Sequence, residues 1–332
     1  MATTPKLVLL GTAGGPLPSP ARSGISSVVV VDGRTYVVDC GGGATRQLRR
    51  ARLLGGLHRV LLTHLHSDHT CDFFNLFLLG WPIIQWNPPV HVFGPGPAGG
   101  ADALPPDDAG RPVATHNPAN PTPGLVELTE AQFQAHAYDI NIRMREAGRH
   151  DLRPLLVTHE LALPTGVGAW GPDRVAPDMD PFVVEEDDGV RITATLVAHA
   201  PVFPAFAYRF DTPAGSAVFS GDTAPCLNLV RLARGAGTLV HEVFDDTPVD
   251  GDNGEMSEDE AWEARRRHHH MVTSHTPLSA VGRVAAEAGV RRLVLTHFIP
   301  GDDVLPDEHW VKGVTGFDGE VVVGADLMEL SL

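Results

Sequence analysis

A chain of 332 residues that is 43% hydrophobic can bury a large core, and a charged fraction of only 20% argues against coiled coils and long charged tails. With 35 glycines and 28 prolines, short strands joined by turns are favoured over a helical bundle. The formal charge of −16, from 41 acidic and 25 basic residues, disfavours binding to a polyanion, so nucleic acid is an unfavoured partner and a small molecule the expected one.

The opening MATTPKLVLLGTAGG has an apolar run too short for a secretion signal. Short apolar runs at 7–10, 26–32, 35–39, 59–63 and 90–93 predict strands, and Asp32-Gly33 between two of them predicts a tight hairpin. Helices are expected over 44–54, over 69–79 with Asp68 as N-cap, and over 129–147 up to Gly148. The most apolar stretch, 73–86, is broken by Asn75, Gly80 and Pro82, and no membrane span is expected. A second strand series covers 182–242, followed by a helix from Thr276-Pro277 to Gly289 and a strand at RRLVLTH. Cys40, Cys71 and Cys226 suit neither a disulfide framework nor a zinc knuckle, which points to a reducing, cytoplasmic setting. The whole chain, 1–332, reads as one α/β domain with surface insertions near 100–125, 129–181 and 243–274.

The chemistry concentrates in RVLLTHLHSDHTCD, where a strand delivers His64, His66, Asp68 and His69 at its carboxyl end. Alternation along an extended chain puts His64 and His66 on one side, and the following turn brings Asp68 and His69 to a neighbouring position, so one loop can serve two metals. Three later strands end likewise: His199 closes TATLVAH, Asp222 closes AVFSGD and His297 closes LVLTH. Five His and two Asp are what a dinuclear site with one bridging carboxylate requires.

The order H-x-H-x-D-H, His, SGDT, His resembles the metallo-β-lactamase fold, an αββα sandwich of two mixed β-sheets with outer helices and a dinuclear site at one edge. The resemblance implies that His64, His66 and His199 hold one zinc, that Asp68, His69 and His297 hold the other, and that Asp222 bridges them. It further implies two Zn2+, with Mn2+ or Fe2+ as alternatives, and a hydroxide nucleophile between them. Within that superfamily the chain resembles the ribonuclease Z and arylsulfatase branch. LVLLGTAGGPLPSPARSGISSVVV, VVDCGGGATRQL and VHVFGPGPAGG match its opening strands and glycine turns, and SHTPLSAVGRVAAEAGVRRLVLTHF its terminal His-helix-His block. The same branch implies His275 as proton donor to the leaving group and Glu242 of the His241-Glu242 pair as its orienting partner; Asp68, besides ligating, has a free oxygen that can accept a hydrogen bond from the hydroxide and steer it, a catalytic role.

The chain departs from ribonuclease Z in lacking its glycine- and lysine-rich arm for transfer RNA: Lys6 and Lys312 are the only lysines. In its place Arg143, Arg145, Arg149 and Arg153 are scattered over an expected helix, a solvated face rather than a nucleic-acid footprint. Residues 242–263 carry an acidic run, and Arg265 to His270 follow as a basic one that could be the face of a mobile loop, a third-metal trap or a segment without a role. Aromatic residues beside the ligands (Phe73, Phe74, Trp81, Trp86, Phe203, Phe206, Phe298) could line an apolar mouth. The leading expectation is therefore a dinuclear zinc hydrolase of a small phosphodiester or aryl sulfate ester. The alternatives are a ribonuclease Z-type transfer-RNA 3′-processing endonuclease, a lactonase or β-lactamase-like hydrolase, and a non-hydrolytic biosynthetic metalloenzyme; a homodimer is left open.

Overall fold

The computed structural model describes residues 5–100, 103–105, 113–168, 171, 174–187, 189–247 and 258–332. Parts of the three expected insertions and of the acidic run lie outside these, and of the Arg265–His270 side chains only Arg266 and His268 to His270 are described.

The first sheet begins with three strands of nearly unbroken apolar sequence, β1 (Lys6–Gly11), β2 (Ser26–Val31) and β3 (Arg34–Val38). They pair antiparallel, and the β2–β3 turn sits on Asp32 and Gly33 with φ of 49° and 78°, the left-handed pair that a primed hairpin turn needs. Parallel β4 (Leu57–Leu61), β5 (Val90–Pro95) and β6 (Leu156–Leu161) extend the sheet. In the second sheet β7 (Phe182–Asp187), β8 (Val190–Leu196), β9 (Phe206–Thr212) and β10 (Gly215–Phe219) pair antiparallel. Then β11 (Thr238–Phe244), β12 (Arg292–Ile299) and β13 (Glu320–Val323) continue it in parallel. The last strand, β14 (Met328–Ser331), crosses back to pair with β1, giving two mixed sheets of seven strands.

Three apolar layers account for the stacking. Inward residues of both sheets, among them Leu9, Val29, Tyr36, Phe206, Tyr208, Phe210 and Val294, form the middle layer. The outer face of the first sheet packs on α1 (Ala44–Arg50), α3 (Phe73–Ile84), α4 (Leu125–Ala135) and α5 (Ala137–Glu146). That of the second packs on α6 (Leu227–Ala233), α8 (Leu278–Ala288) and α9 (Asp307–Gly313). The αββα expectation is met. No described helix is long and apolar enough to cross a membrane.

Several helix expectations are corrected. The first helix stops at Arg50, with Arg52 left-handed (φ 60°) and a separate 3₁₀ turn at Leu54–Gly56. Asp68 is not the N-cap of a helix over 69–79: it lies inside the one-turn helix α2 (Ser67–Thr70), and α3 starts after Asp72. The helix expected over 129–147 is two, α4 starting at Leu125, because the chain breaks at His136 so that Phe133 and Ile140 can both reach the core. The Arg/His run lies not in a loop but on α7 (Glu258–Ser274). Of the four arginines expected on one helix, Arg143 and Arg145 lie on α5, with Arg143 on Asp139, whereas Arg149 and Arg153 fall beyond its end and Arg153 reaches back to Glu130 on α4; the face is solvated.

Candidate metal centre

The site lies where strands of both sheets end. β4 runs out into the buried Thr63 and His64, and α2 turns the chain so that exposed His66 stays with His64 while Asp68 and buried His69 join a second group of donors. From the second sheet, His199 follows β8, Asp222 follows β10 and His297 sits within β12. Two backbone devices aim these residues. Gly221 adopts φ 58°, and a Cβ there would lie 2.8 Å from Phe206 O, so the turn into Asp222 requires glycine. In β12 the pairing jumps from Glu242↔Thr296 to Val243↔Phe298, leaving His297 as a bulged, unpaired residue at φ 47° whose ring turns to the site.

All seven expected ligands are brought together. Donor atoms of His64, His66 and His199 fall within 4.8 Å of one another, as do those of Asp68, His69, Asp222 and His297. Asp222 divides its oxygens between the two groups: Oδ1 is 3.2 Å from His69 Nε2 and 3.4 Å from His297 Nε2, whereas Oδ2 is 3.9 Å from His64 Nε2. Asp68 Oδ2 is 3.7 Å from His69 Nε2 and 3.6 Å from His297 Nε2.

The ring orientations are set from outside. His69 Nδ1 donates to Asp39 Oδ2 at 2.9 Å, and His199 Nδ1 donates to Ser274 O at 2.9 Å. Thr63 spends its hydroxyl proton on Asp39 and so accepts from His64 Nδ1 at 3.1 Å. In all three rings Nε2 is left to point inward. The buried His64 Nε2, His69 Nε2, Asp222 Oδ1 and both His297 nitrogens have no hydrogen-bond partner. Orphaned buried atoms on three imidazoles and one carboxylate, within a cluster of five imidazoles and two carboxylates, fit a pair of transition-metal ions.

Burial holds His64, His66 and His199 below the ordinary histidine range, His199 to about 3, in the neutral form that coordinates metal. Burial works against Asp68 and Asp222, but the neighbouring His69 and His297 outweigh it and hold both carboxylates low, Asp68 at about 2.

Beside this set, His275 Nδ1 donates to Glu242 Oε2 at 2.7 Å and is 3.9 Å from Asp222 Oδ2. The other Glu242 oxygen accepts from the Thr223 backbone N–H. Burial pushes His275 down, but the charge and hydrogen bond of Glu242 overcome it and raise it to about 9, so the ring is an imidazolium at neutral pH. Of the seven aromatic residues near the ligands, Phe73, Phe74, Trp81, Phe206 and Phe298 are core, and Trp86 is exposed on the far end of α3; only Phe203 is half-buried. Among the described residues the expected apolar mouth is largely absent, because Phe73, Phe74, Trp81 and Phe298 fill the layers under the helices and Phe206 the layer between the sheets. Asp39, Thr63 and Ser274 were not anticipated from sequence.

The metallo-β-lactamase superfamily model matches residues 20–267. Ribonuclease Z of Mycobacterium marinum is 31% identical over 327 residues, which is 97% of this chain and 96% of that protein. Among solved structures, the metallo-β-lactamase fold protein YhfI of Bacillus subtilis aligns with a TM-score of 0.62 at 18% identity over 99% of both chains. The short form of human tRNase Z aligns with a TM-score of 0.60 at 18% identity over 98% of both, and these two share the fold. The chain belongs to the metallo-β-lactamase superfamily, on its ribonuclease Z side.

Proposed function

We propose that this chain is a metal-dependent phosphodiesterase of ribonuclease Z type that cuts RNA, with precursor transfer RNA as its substrate. The observation that carries this reading is the His275–Glu242 pair standing 3.9 Å from the shared carboxylate of a seven-donor cluster. A proton donor so placed serves a tetrahedral centre with a poor leaving group, and full-length relatives named Ribonuclease Z favour RNA as that substrate. His64, His66 and His199 would hold one ion and Asp68, His69 and His297 the other, with Asp222 shared. When bound, two cations, zinc first with manganese or iron as alternatives, supply Lewis-acid polarisation of the phosphoryl group and lower the pKa of water. Asp68, ionised, accepts a proton of the attacking water in a hydrogen bond and steers it to phosphorus. As the P–O bond to the leaving group breaks, His275 Nε2 gives its proton to the departing oxygen, and Glu242 stabilises the imidazolium until then.

A small phosphodiester or aryl sulfate is the second reading, favoured by the net charge of −16 and by a chain with only two lysines. Metal-quantified protein assayed on precursor transfer RNA, bis(p-nitrophenyl) phosphate and p-nitrophenyl sulfate separates them. The expected result is roughly two ions per chain, reduced in His66→Ala and Asp222→Ala, and cleavage of the RNA at its 3′ boundary. Turnover of an aryl ester without RNA cleavage promotes the second reading, and fully loaded protein that turns over none of the three sinks both.

A further inference from the structure

The basic run on α7 has no part in the chemistry above, yet its last residue reaches the site. His268, His269 and His270 are all exposed, but the His270 ring centre lies 5.6 Å from that of His275, the two planes at 81°. Its Nδ1 is 3.2 Å from Ser274 Oγ, one helical turn on. Ser274 donates its hydroxyl proton to Ala200 O at 2.5 Å, because a carbonyl can only accept. The Ser274 oxygen therefore accepts from His270, which puts a ring proton on Nδ1 and makes Nε2 the lone-pair nitrogen of the neutral ring. His275 is likewise tied through Nδ1, to Glu242. Two adjacent rings are thus each tied through Nδ1 and each keep Nε2 for a ligand.

The oxygens of a phosphodiester group only accept hydrogen bonds, so a lone pair beside the proton donor has no use for the phosphate itself. It suits a hydroxyl on the carbon adjoining the one that bears the leaving oxygen. In RNA that neighbour of the 3′ oxygen is the 2′-hydroxyl; in DNA and in aryl esters it is missing. We propose that His270 Nε2 accepts a hydrogen bond from the 2′-hydroxyl of the nucleotide whose 3′ oxygen departs, and so selects ribose at that position. The proposal rests on the ribonuclease reading given above.

The test uses two precursor transfer RNAs, one all-ribose and one with a single 2′-deoxy nucleotide 5′ to the cut. Wild-type protein should prefer the all-ribose RNA by roughly tenfold in kcat/KM, the value of one hydrogen bond. His270→Ala should bring that ratio close to unity, and His270→Gln, whose amide oxygen reaches about as far as Nε2, should restore part of it. Fluorescence anisotropy on protein stripped of metal, where both RNAs stay uncut, should show the same ratios in Kd, and melting curves establish that the variants fold. A wild-type preference that survives His270→Ala, or no wild-type preference at all, overturns the role of His270. Wild-type protein that turns over bis(p-nitrophenyl) phosphate but cuts neither RNA overturns the ribonuclease reading and the His270 role with it.

Discussion

Asp39 touches no candidate metal donor atom that faces inward, yet it holds the loop that carries four of them. Its Oδ1 accepts from Thr63 N at 2.8 Å, its Oδ2 from Thr63 Oγ1 at 2.8 Å and from His69 Nδ1 at 2.9 Å, all in a buried setting. Partners of metal-binding histidines fix ring orientation and basicity, so Asp39→Ala should weaken metal affinity by about 10–100-fold. Competition with a chromogenic chelator measures it, and affinity within twofold of wild type would remove Asp39 from the support of the site. His275 calls for a different readout. A p-nitrophenoxide departs without help whereas a ribose alkoxide needs a proton, so His275→Ala should cost little on bis(p-nitrophenyl) phosphate and about 10²–10⁴-fold on RNA. Equal losses on both substrates would exclude proton donation. The seven donors could be read from the sequence as the H-x-H-x-D-H loop and as polar residues closing later apolar runs, whereas His275 and Glu242 were suggested only by the family resemblance. Asp39 was neither, since an aspartate before Gly41 to Gly43 reads as a turn former, and Ser274 acts through a backbone carbonyl that no side-chain pattern announces.

The glycine-rich turn after β1 shows how an element shapes the site at a distance in sequence. Gly14 N donates to Phe298 O at 3.1 Å, and Phe298 N donates to Thr12 O at 3.0 Å, clamping the bulge of β12 to the N-terminal turn. A Cβ at Gly14 would lie 2.6 Å from His297 Nδ1 and 2.7 Å from His297 O, closer than real Cβ atoms come to such neighbours. Gly14→Ala should therefore displace His297 and lower the metal content of the group it shares with Asp68 and His69, with the sheets intact by circular dichroism. Full metal content and activity in that variant would show that the bulge can shift freely. Strands of the central layers were readable from sequence, as apolar runs closed by Gly, Pro or Asp. The elements left unread or misplaced are those whose pattern is set by partners: β6, β13 and β14, for which no strand was expected, are only partly buried along their lengths, and α4 and α5 part at His136 to suit a core that periodicity alone cannot reveal.

At the scale of the whole molecule, the two sheets are joined on the side of β7 by a charged clasp rather than by apolar packing alone. Asp187 on β7 of the second sheet meets His58 Nε2 at 3.2 Å, Arg59 Nη2 at 3.4 Å and the Tyr36 hydroxyl at 3.3 Å, all from β3 and β4 of the first. Glu185 completes it with two hydrogen bonds from Arg59, at 2.6 and 2.8 Å. Burial would raise Asp187, but the His58 hydrogen bond and the charges of His58, Arg59 and Arg34 outweigh it and hold its carboxyl below the ordinary 3.8. For a carboxyl lowered by folding, the stabilisation is complete above the unfolded value and is lost as pH falls through the folded one, so this contribution disappears below about pH 4. Burial lowers His58 from 6.5, so in the unfolded chain it takes up its proton first, and stability also falls as pH drops below 6.5. Asp187→Asn should thus lower Tm by a few degrees at pH 7, since Arg59 and Arg34 lose their shared anion, and by progressively less as pH falls below 4. Melting curves of both proteins between pH 3 and pH 8 check this. A difference that is constant across that range would mean that Asp187 contributes shape rather than charge to the joint between the sheets.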